Sequence, residues 1–403
     1  MKIVIINAVY EIGSTGRTYK ELYDYLIHIG YDCKIIYGEN KDKDKDKDII
    51  YMGSKFSHKI HALISRITGK PGYYSFYSTK KLLKFLNNYR PDIVHLGNLH
   101  ANFINIPLLL KFLGENNIKT TITLHDCYFY TGGCFHYTIN NCYKWKKECK
   151  NCSNYKKQGS WFFDKTNYLF KNKKNLFSSI KNLGVIGVSN WITQEAKESS
   201  ILRNAKIIDR IYNWVDLEIF KPVKVDKKLK ENLNIQDKFI ILGVASGWKK
   251  EKGLNKFIEL SKVLSDEYTI ILIGNILEKV NLAKNIINIS EISEVKKLVE
   301  YYNIADVFVH LSKEETFGKV TAEALACGLP SIVYNSTASP ELVEDGCGYS
   351  IEITAEIQEV LEKLEVIKEI GKEKFSQKCR EKAIRDFSKE KNCQKYIELW
   401  SKL

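Results

Sequence analysis

Residues 305–335 read ADVFVHLSKEETFGKVTAEALACGLPSIVYN. An apolar run, ADVFVHLS (305–312), passes through a polar loop, KEET, and turns helical near Gly318 in the small, apolar TAEALAC. It closes on a second apolar run, PSIVYN (330–335). Strand, helix and strand with near-continuous apolar strands are the unit of a parallel sheet covered on both faces. Two carboxylates, Glu315 and Glu323, flank Phe317-Gly318. Glu323 lies in apolar company, where a carboxylate is costly unless something pairs with it.

The same alternation runs outward in both directions. Upstream in the same half are FIILGVAS (239–246), YTIILIGN (268–275) and INIS (287–290), with helices expected near 253–265, 293–303 and 318–326. The first half has KIVIINA (2–8), CKIIYGE (33–39), DIVHLG (92–97), TTITLHD (120–126) and LGVIGVS (183–189) as strands. Helices are expected over 17–29, near 104–115 and near 168–181. IYNWVDLEIFKP (211–222) ends in a proline suited to a domain junction. The expected fold is therefore α/β, two doubly wound Rossmann-like domains. Their bounds are 1–220, with a cysteine-rich insert at 127–165, and 221–385. Helical sequence closes the chain, and 386–403 is expected to return to the first domain. In this architecture ligands bind in a cleft at the carboxyl ends of the strands. The alternating KDKDKDKD (41–48) reads as a solvated loop.

The 403 residues are 44% hydrophobic and 27% charged, the composition of a globular protein. No apolar run reaches the roughly 18 residues that span a bilayer. MKIVIINAVYEIG reads as a first strand, not a signal peptide, so a cytoplasmic setting with reduced thiols is expected. The net charge is +14, and residues 51–200 hold 22 Lys and Arg against 7 Asp and Glu. Such a local surplus points to an anionic partner on that side, or to a solvated lysine-rich surface.

The helix starting near Gly318 presents backbone N–H groups at Lys319 and Val320 and the positive end of its dipole, a site for phosphate. Gly318, after Phe317, lets a ligand approach closely. Glu315 precedes the helix, and Glu323 lies about a turn and a half inside it. A carboxylate is a two-oxygen acceptor matched to a vicinal diol.

EETFGKVTAEALACGLPSIVYN, with KGLNKFIELSKVL before it and SPELVEDGCGYSIE after it, resembles the retaining nucleotide-sugar glycosyltransferases of family 4, with the GT-B fold. PDIVHLGNLHANFINIPLLLKFL, TLHDCYFYTGGC, GVSNWI and NWVDLEIFKP resemble the branch that builds capsular, colanic-acid-type and other exopolysaccharides. The resemblance implies that Glu315 holds the donor sugar's hydroxyls, Glu323 the nucleotide ribose and Lys252 the donor diphosphate. It also gives His125 the transferred sugar. Many relatives place an arginine shortly before that lysine. Here Ser246 stands in its place, and Lys249 or Lys250 is the substitute. Trp214 replaces the glycine of the usual junction turn.

In the first half, Gly13 and Gly16 bracket a loop that opens onto a helix after the first strand, a place for close approach to a diphosphate or sugar. His125 ends a strand, and Asp126 is placed to orient it. His95 and Asn98 end the preceding strand and are acceptor-side candidates. Cys134, Cys142, Cys149 and Cys152 have the spacing C-x7-C-x6-C-x2-C, which reads as a structural zinc knuckle or as plain thiols. SKFSHKIHALISRITGK (54–70) has apolar residues at helical spacing with Lys55, Lys59, Arg66 and Lys70 beside them. It either lies on an anionic bilayer or packs on its own domain.

The expected function is retaining, metal-independent transfer of a sugar from a nucleoside-diphosphate donor to a glycan or lipid-linked acceptor at the inner membrane face. Catalysis needs no cofactor, and no nucleic acid is expected as partner. The rival readings are a phosphorylase or sugar-phosphate synthase on the same fold, and a non-enzymatic polyanion binder.

Overall fold

The computed structural model describes residues 1–39, 47–290, 292 and 294–403; positions 41–46 of the alternating charged run lie outside them. The chain forms two compact units, Met1–Ile211 with Cys393–Leu403, and Tyr212–Asn392.

The first unit runs β1 (Lys2–Val9), α1 (Gly13–His28), β2 (Asp32–Glu39), β3 (Ile49–Tyr51), α2 (Lys55–Thr68), α3 (Phe76–Tyr89), β4 (Ile93–Leu96), α4 (Ile106–Glu115), β5 (Lys119–Leu124), α5 (Thr166–Ser178), β6 (Leu183–Gly187), α6 (Asn190–Glu198) and β7 (Ile207–Arg210). Its strands form one parallel sheet in the order β3-β2-β1-β4-β5-β6-β7. Ile3, Val4, Ile5 and Ile6 of β1 are all buried, as a strand covered on both faces must be. Tyr19, Leu22 and Leu26 make the buried stripe of α1. Asn105 and Ser189 cap α4 and α6 through the amides of Leu108 and Ile192.

The second unit runs α7 (Lys228–Asn232), β8 (Phe239–Trp248), α8 (Leu254–Val263), β9 (Tyr268–Ile276), β10 (Ile286–Ile289), α9 (Val295–Ile304), β11 (Val307–His310), α10 (Lys319–Ala326), β12 (Ser331–Tyr334), β13 (Gly348–Ile351), α11 (Ile357–Ile370) and α12 (Lys372–Asp386). Its strands are again parallel, ordered β10-β9-β8-β11-β12-β13. The order reverses at β8, so β8 and β11 sit side by side with outward connections. Trp214, at the position of the missing glycine, is fully buried.

A last helix, α13 (Lys389–Ser401), straddles the two units, and residues 393–403 close the core of the first. There the Tyr396 hydroxyl meets Thr123 Oγ1 at 3.1 Å and Trp400 Nε1 donates to Thr121 Oγ1 at 3.0 Å.

Candidate active site

Strand β11 ends at His310, and the loop that follows returns into α10 through Gly318. Gly318 has φ +91, and a Cβ there would lie 2.9 Å from Leu342 Cδ1, so this turn needs glycine. It is the N-cap of α10, and no side chain caps the helix. The first amides of α10, at Lys319 and Val320, therefore have no acceptor from a cap. The Thr321 hydroxyl in the same turn is buried and makes no hydrogen bond among the described residues. Phe317 is buried against Tyr212 and Phe387, which anchors the loop from below.

Glu315 hangs in this loop with its backbone tied down: its N–H donates to Thr337 Oγ1 at 2.9 Å, and its carbonyl accepts from Ala338 N at 3.2 Å. Its carboxylate Oε1 takes Lys252 Nζ at 2.5 Å and His310 Nε2 at 3.1 Å. Lys252 Nζ also reaches Ser312 Oγ at 3.4 Å. Burial alone would raise the Glu315 carboxyl, but the Lys252 ammonium and the His310 imidazole outweigh it and hold the group below the usual carboxylate range. Lys252 closes a short 3-10 turn ahead of α8, and Gly253 beyond it has φ +84 and packs on the Leu311 carbonyl.

Glu323 is 4% exposed, on the inner side of α10. The Tyr302 hydroxyl from α9 lies 3.1 Å from Glu323 Oε2 and 3.2 Å from the Val320 carbonyl, one proton shared between two acceptors. So both carboxylates have protein partners: an ammonium and an imidazole for Glu315, a phenol for Glu323. The sequence reading found the two acids and Lys252 but missed His310, Thr337 and Tyr302. Only His310, a polar residue ending an apolar strand beside the loop, left a signal that spacing reveals. Ser246 and Lys249, expected beside Lys252, are exposed at the end of β8 and just beyond it.

In the first unit, Gly13 opens α1 with φ +64, and Ile12 provides no side-chain cap. A Cβ on Gly16 would sit 3.1 Å from the Glu11 nitrogen, so the helix packs on the loop only because that side chain is missing. His125, nearly buried, has Nε2 3.0 Å from the Tyr19 hydroxyl. Asp126 takes His100 Nε2 at 2.9 Å and the Tyr128 amide at 2.8 Å. His95 is fully buried, with Nδ1 2.7 Å from Thr121 Oγ1 and Nε2 3.3 Å from Thr123 Oγ1. Both ring nitrogens are engaged in the core by threonine hydroxyls. Asn98 is half-buried, its amide held by Asn7 Oδ1 at 2.8 Å and its carbonyl by Ala8 N at 2.7 Å.

The cysteine-rich insert is built of short 3-10 turns. Cys142, Cys149 and Cys152 line a cavity of ≈ 220 Å³. Gln158 Nε2 donates to Cys134 Sγ at 2.8 Å and Cys152 Sγ at 3.4 Å, and the Gly132 amide donates to Cys149 Sγ at 3.2 Å. Burial, then the neighbouring sulfurs, push the Cys134 thiol up to about 12; burial first also pushes Cys149 up to about 11. Among the described residues no three His, Cys, Asp or Glu side chains form a set that could hold a metal ion.

Two parallel Rossmann-like units with a pair of carboxylates at a helix start set the architecture, and the family models define the class as a glycosyltransferase. Residues 15–219 match the model for Glycosyltransferase Family 4 and residues 225–386 that for Glycosyl transferases group 1. The first match alone covers half of the sequence, and the chain belongs to glycosyltransferase family 4. An "Uncharacterized 41.2 kDa protein in cps region" of Klebsiella pneumoniae is 25% identical over 79% of this chain and 81% of its own length. The "Putative colanic acid biosynthesis glycosyl transferase WcaC" of Escherichia coli is 23% identical over 65% of this chain and 64% of that protein. Among solved structures, Anabaena HepE in complex with UDP superposes with a TM-score of 0.67 at 17% identity, over 100% of each chain. The fold is GT-B.

Proposed function

We propose that this protein transfers a sugar, with retention and without a catalytic metal, from a nucleoside-diphosphate sugar to a glycan or lipid-linked acceptor. The process is cell-surface polysaccharide synthesis at the inner membrane face. The observation that carries the reading is Glu315, held by Lys252 and His310 on a backbone-pinned loop before the uncapped start of α10. Each part has a task. The amides of Lys319 and Val320 and the Lys252 ammonium take the diphosphate, Glu323 the ribose and Glu315 the sugar hydroxyls. His125 keeps the sugar-contacting role that the resemblance implies. Lys252 exchanges partners: as its ammonium turns to the diphosphate, Glu315 is released to accept from the sugar while His310 still fixes its orientation. The ammonium then stabilises the charge that develops on the leaving diphosphate. Support comes from the colanic acid biosynthesis named for the Escherichia coli relative, and from the complex of HepE with UDP. The test is calorimetric titration of nucleoside diphosphates and their sugars against Glu323→Gln. Loss of affinity for both ligand types supports the ribose role; unchanged affinity for both refutes it.

A further inference from the structure

Helix α2 turns the wrong face outward. Its inward residues are polar: His61 meets Ser75 Oγ at 2.7 Å, and Ser65 meets Asn102 Oδ1 at 3.3 Å. Its apolar residues, Phe56, Ile60, Leu63 and Ile67, are 73%, 42%, 48% and 42% exposed. At about 100° per residue these four fall on one stripe, opposite the buried His61 and Ser65. The helix is well terminated, by a capping box from Ser54 and Ser57 and by Gly69 in the left-handed conformation, so the stripe belongs to a formed helix.

A second apolar element adjoins it. Trp161, Phe162 and Phe163 are 46%, 63% and 52% exposed. The Trp161 amide donates to the Arg66 carbonyl at 2.7 Å, and the Arg66 guanidinium lies 5.8 Å from the indole ring. Gly69 packs so closely on the Phe163 carbonyl that a Cβ there would lie 2.6 Å away. The aromatic loop is therefore fastened to the carboxyl end of α2.

The surrounding charge selects the partner. From Ile49 to Pro91 there is no Asp or Glu, whereas Lys55, Lys59 and Arg66 flank the stripe and Lys70 follows it. An outward apolar stripe with exposed aromatics and a one-sided basic rim fits the headgroup region of an anionic bilayer. We infer that α2 and the 161–163 loop form a docking surface for anionic membrane lipid. This gives the membrane-face reading a physical site. It is tested by vesicle binding, whereas the donor chemistry is tested by nucleotide affinity, so either can fail alone.

The experiment is co-sedimentation of the full chain with phosphatidylcholine vesicles with and without phosphatidylglycerol, at low and high salt. The wild type should bind the anionic vesicles and lose them as salt rises. K55Q/K59Q/R66Q should bind about 100-fold more weakly. I60Q/L63Q/I67Q should lose binding while its thermal melt and donor hydrolysis stay unchanged, since these side chains are exposed and outside the donor site. Equal binding to neutral and anionic vesicles, or wild-type binding by both variants, overturns the inference. So does a solution dimer that I60Q/L63Q/I67Q dissolves without any vesicle binding, which would assign the face to a second copy of the chain.

Discussion

Glu315→Gln separates the proposed division of labour from a merely structural ion pair. In the structure one carboxylate oxygen serves both Lys252 at 2.5 Å and His310 at 3.1 Å. Glutamine keeps the volume and an acceptor but removes the charge. The Lys252 side chain is 33% exposed and Glu315 16%, so their coupling is that of a partly screened pair, about 1 kcal/mol. That energy must be overcome when Lys252 turns to a diphosphate. Removing it should leave nucleoside-diphosphate affinity unchanged or raise it up to about fivefold. Transfer should move the other way. Losing a charged acceptor aimed at the sugar should lower kcat/KM by about 100- to 1000-fold. Titration calorimetry with the bare diphosphate, beside a diphosphate-release assay, reads both numbers. A tenfold loss of diphosphate affinity in Glu315→Gln, or full transfer, would refute the reasoning.

Other outcomes follow from neighbouring contacts. Lys252→Ala should weaken diphosphate binding by roughly 10- to 100-fold while nucleoside affinity, measured in the same titration, barely changes. Tyr302→Phe removes the phenol shared by Glu323 and Val320 and should cost about 1–2 kcal/mol in denaturant stability; an unchanged midpoint would show that the bond contributes nothing. Burial first, and then the His125 charge, push the His95 imidazole down to about 3, whereas an unfolded histidine titrates near 6.5. Below that pH the unfolded state binds the extra proton, so stability falls with acidity by about 1.4 kcal/mol per unit down to pH 4. Urea midpoints from pH 7 to pH 4 should show a slope that His95→Gln reduces by this amount.

The long strands were legible because a strand buried on both faces leaves an apolar run that composition alone exposes, as in Ile3–Ile6 or Ile270–Ile273. Three of the four edge strands were not: β3, β7 and β13 are three or four residues long and partly exposed, and of the edges only β10 was read, from INIS at 287–290. The helical sequence expected to close the chain is three helices, because Gly371 at φ +85 interrupts it and Phe387 ends α12. At the site, Glu315 and Glu323 stood out because two carboxylates flank Phe317-Gly318, whereas Lys252 stood out only through the family resemblance. Tyr302 and Thr337 were invisible, since only tertiary folding brings α9 and the loop after β12 to those carboxylates. Helix α2 shows the limit most plainly. Periodicity located its stripe but could not say whether the stripe faces in or out.

The return of residues 393–403 to the first unit has a consequence for how the protein is made. The polypeptide visits that unit twice, with the whole second unit between the visits. On a ribosome the groove lined by Thr121, Thr123 and His95 must wait, uncovered, while nearly two hundred further residues are synthesised. The second unit is contiguous and can complete its core first, bringing its two ends together where Val215 pairs with Ser388. The order of completion then runs against the order of synthesis, and Tyr396 and Trp400 act as a late plug over a sheet whose seven strands all precede the second unit.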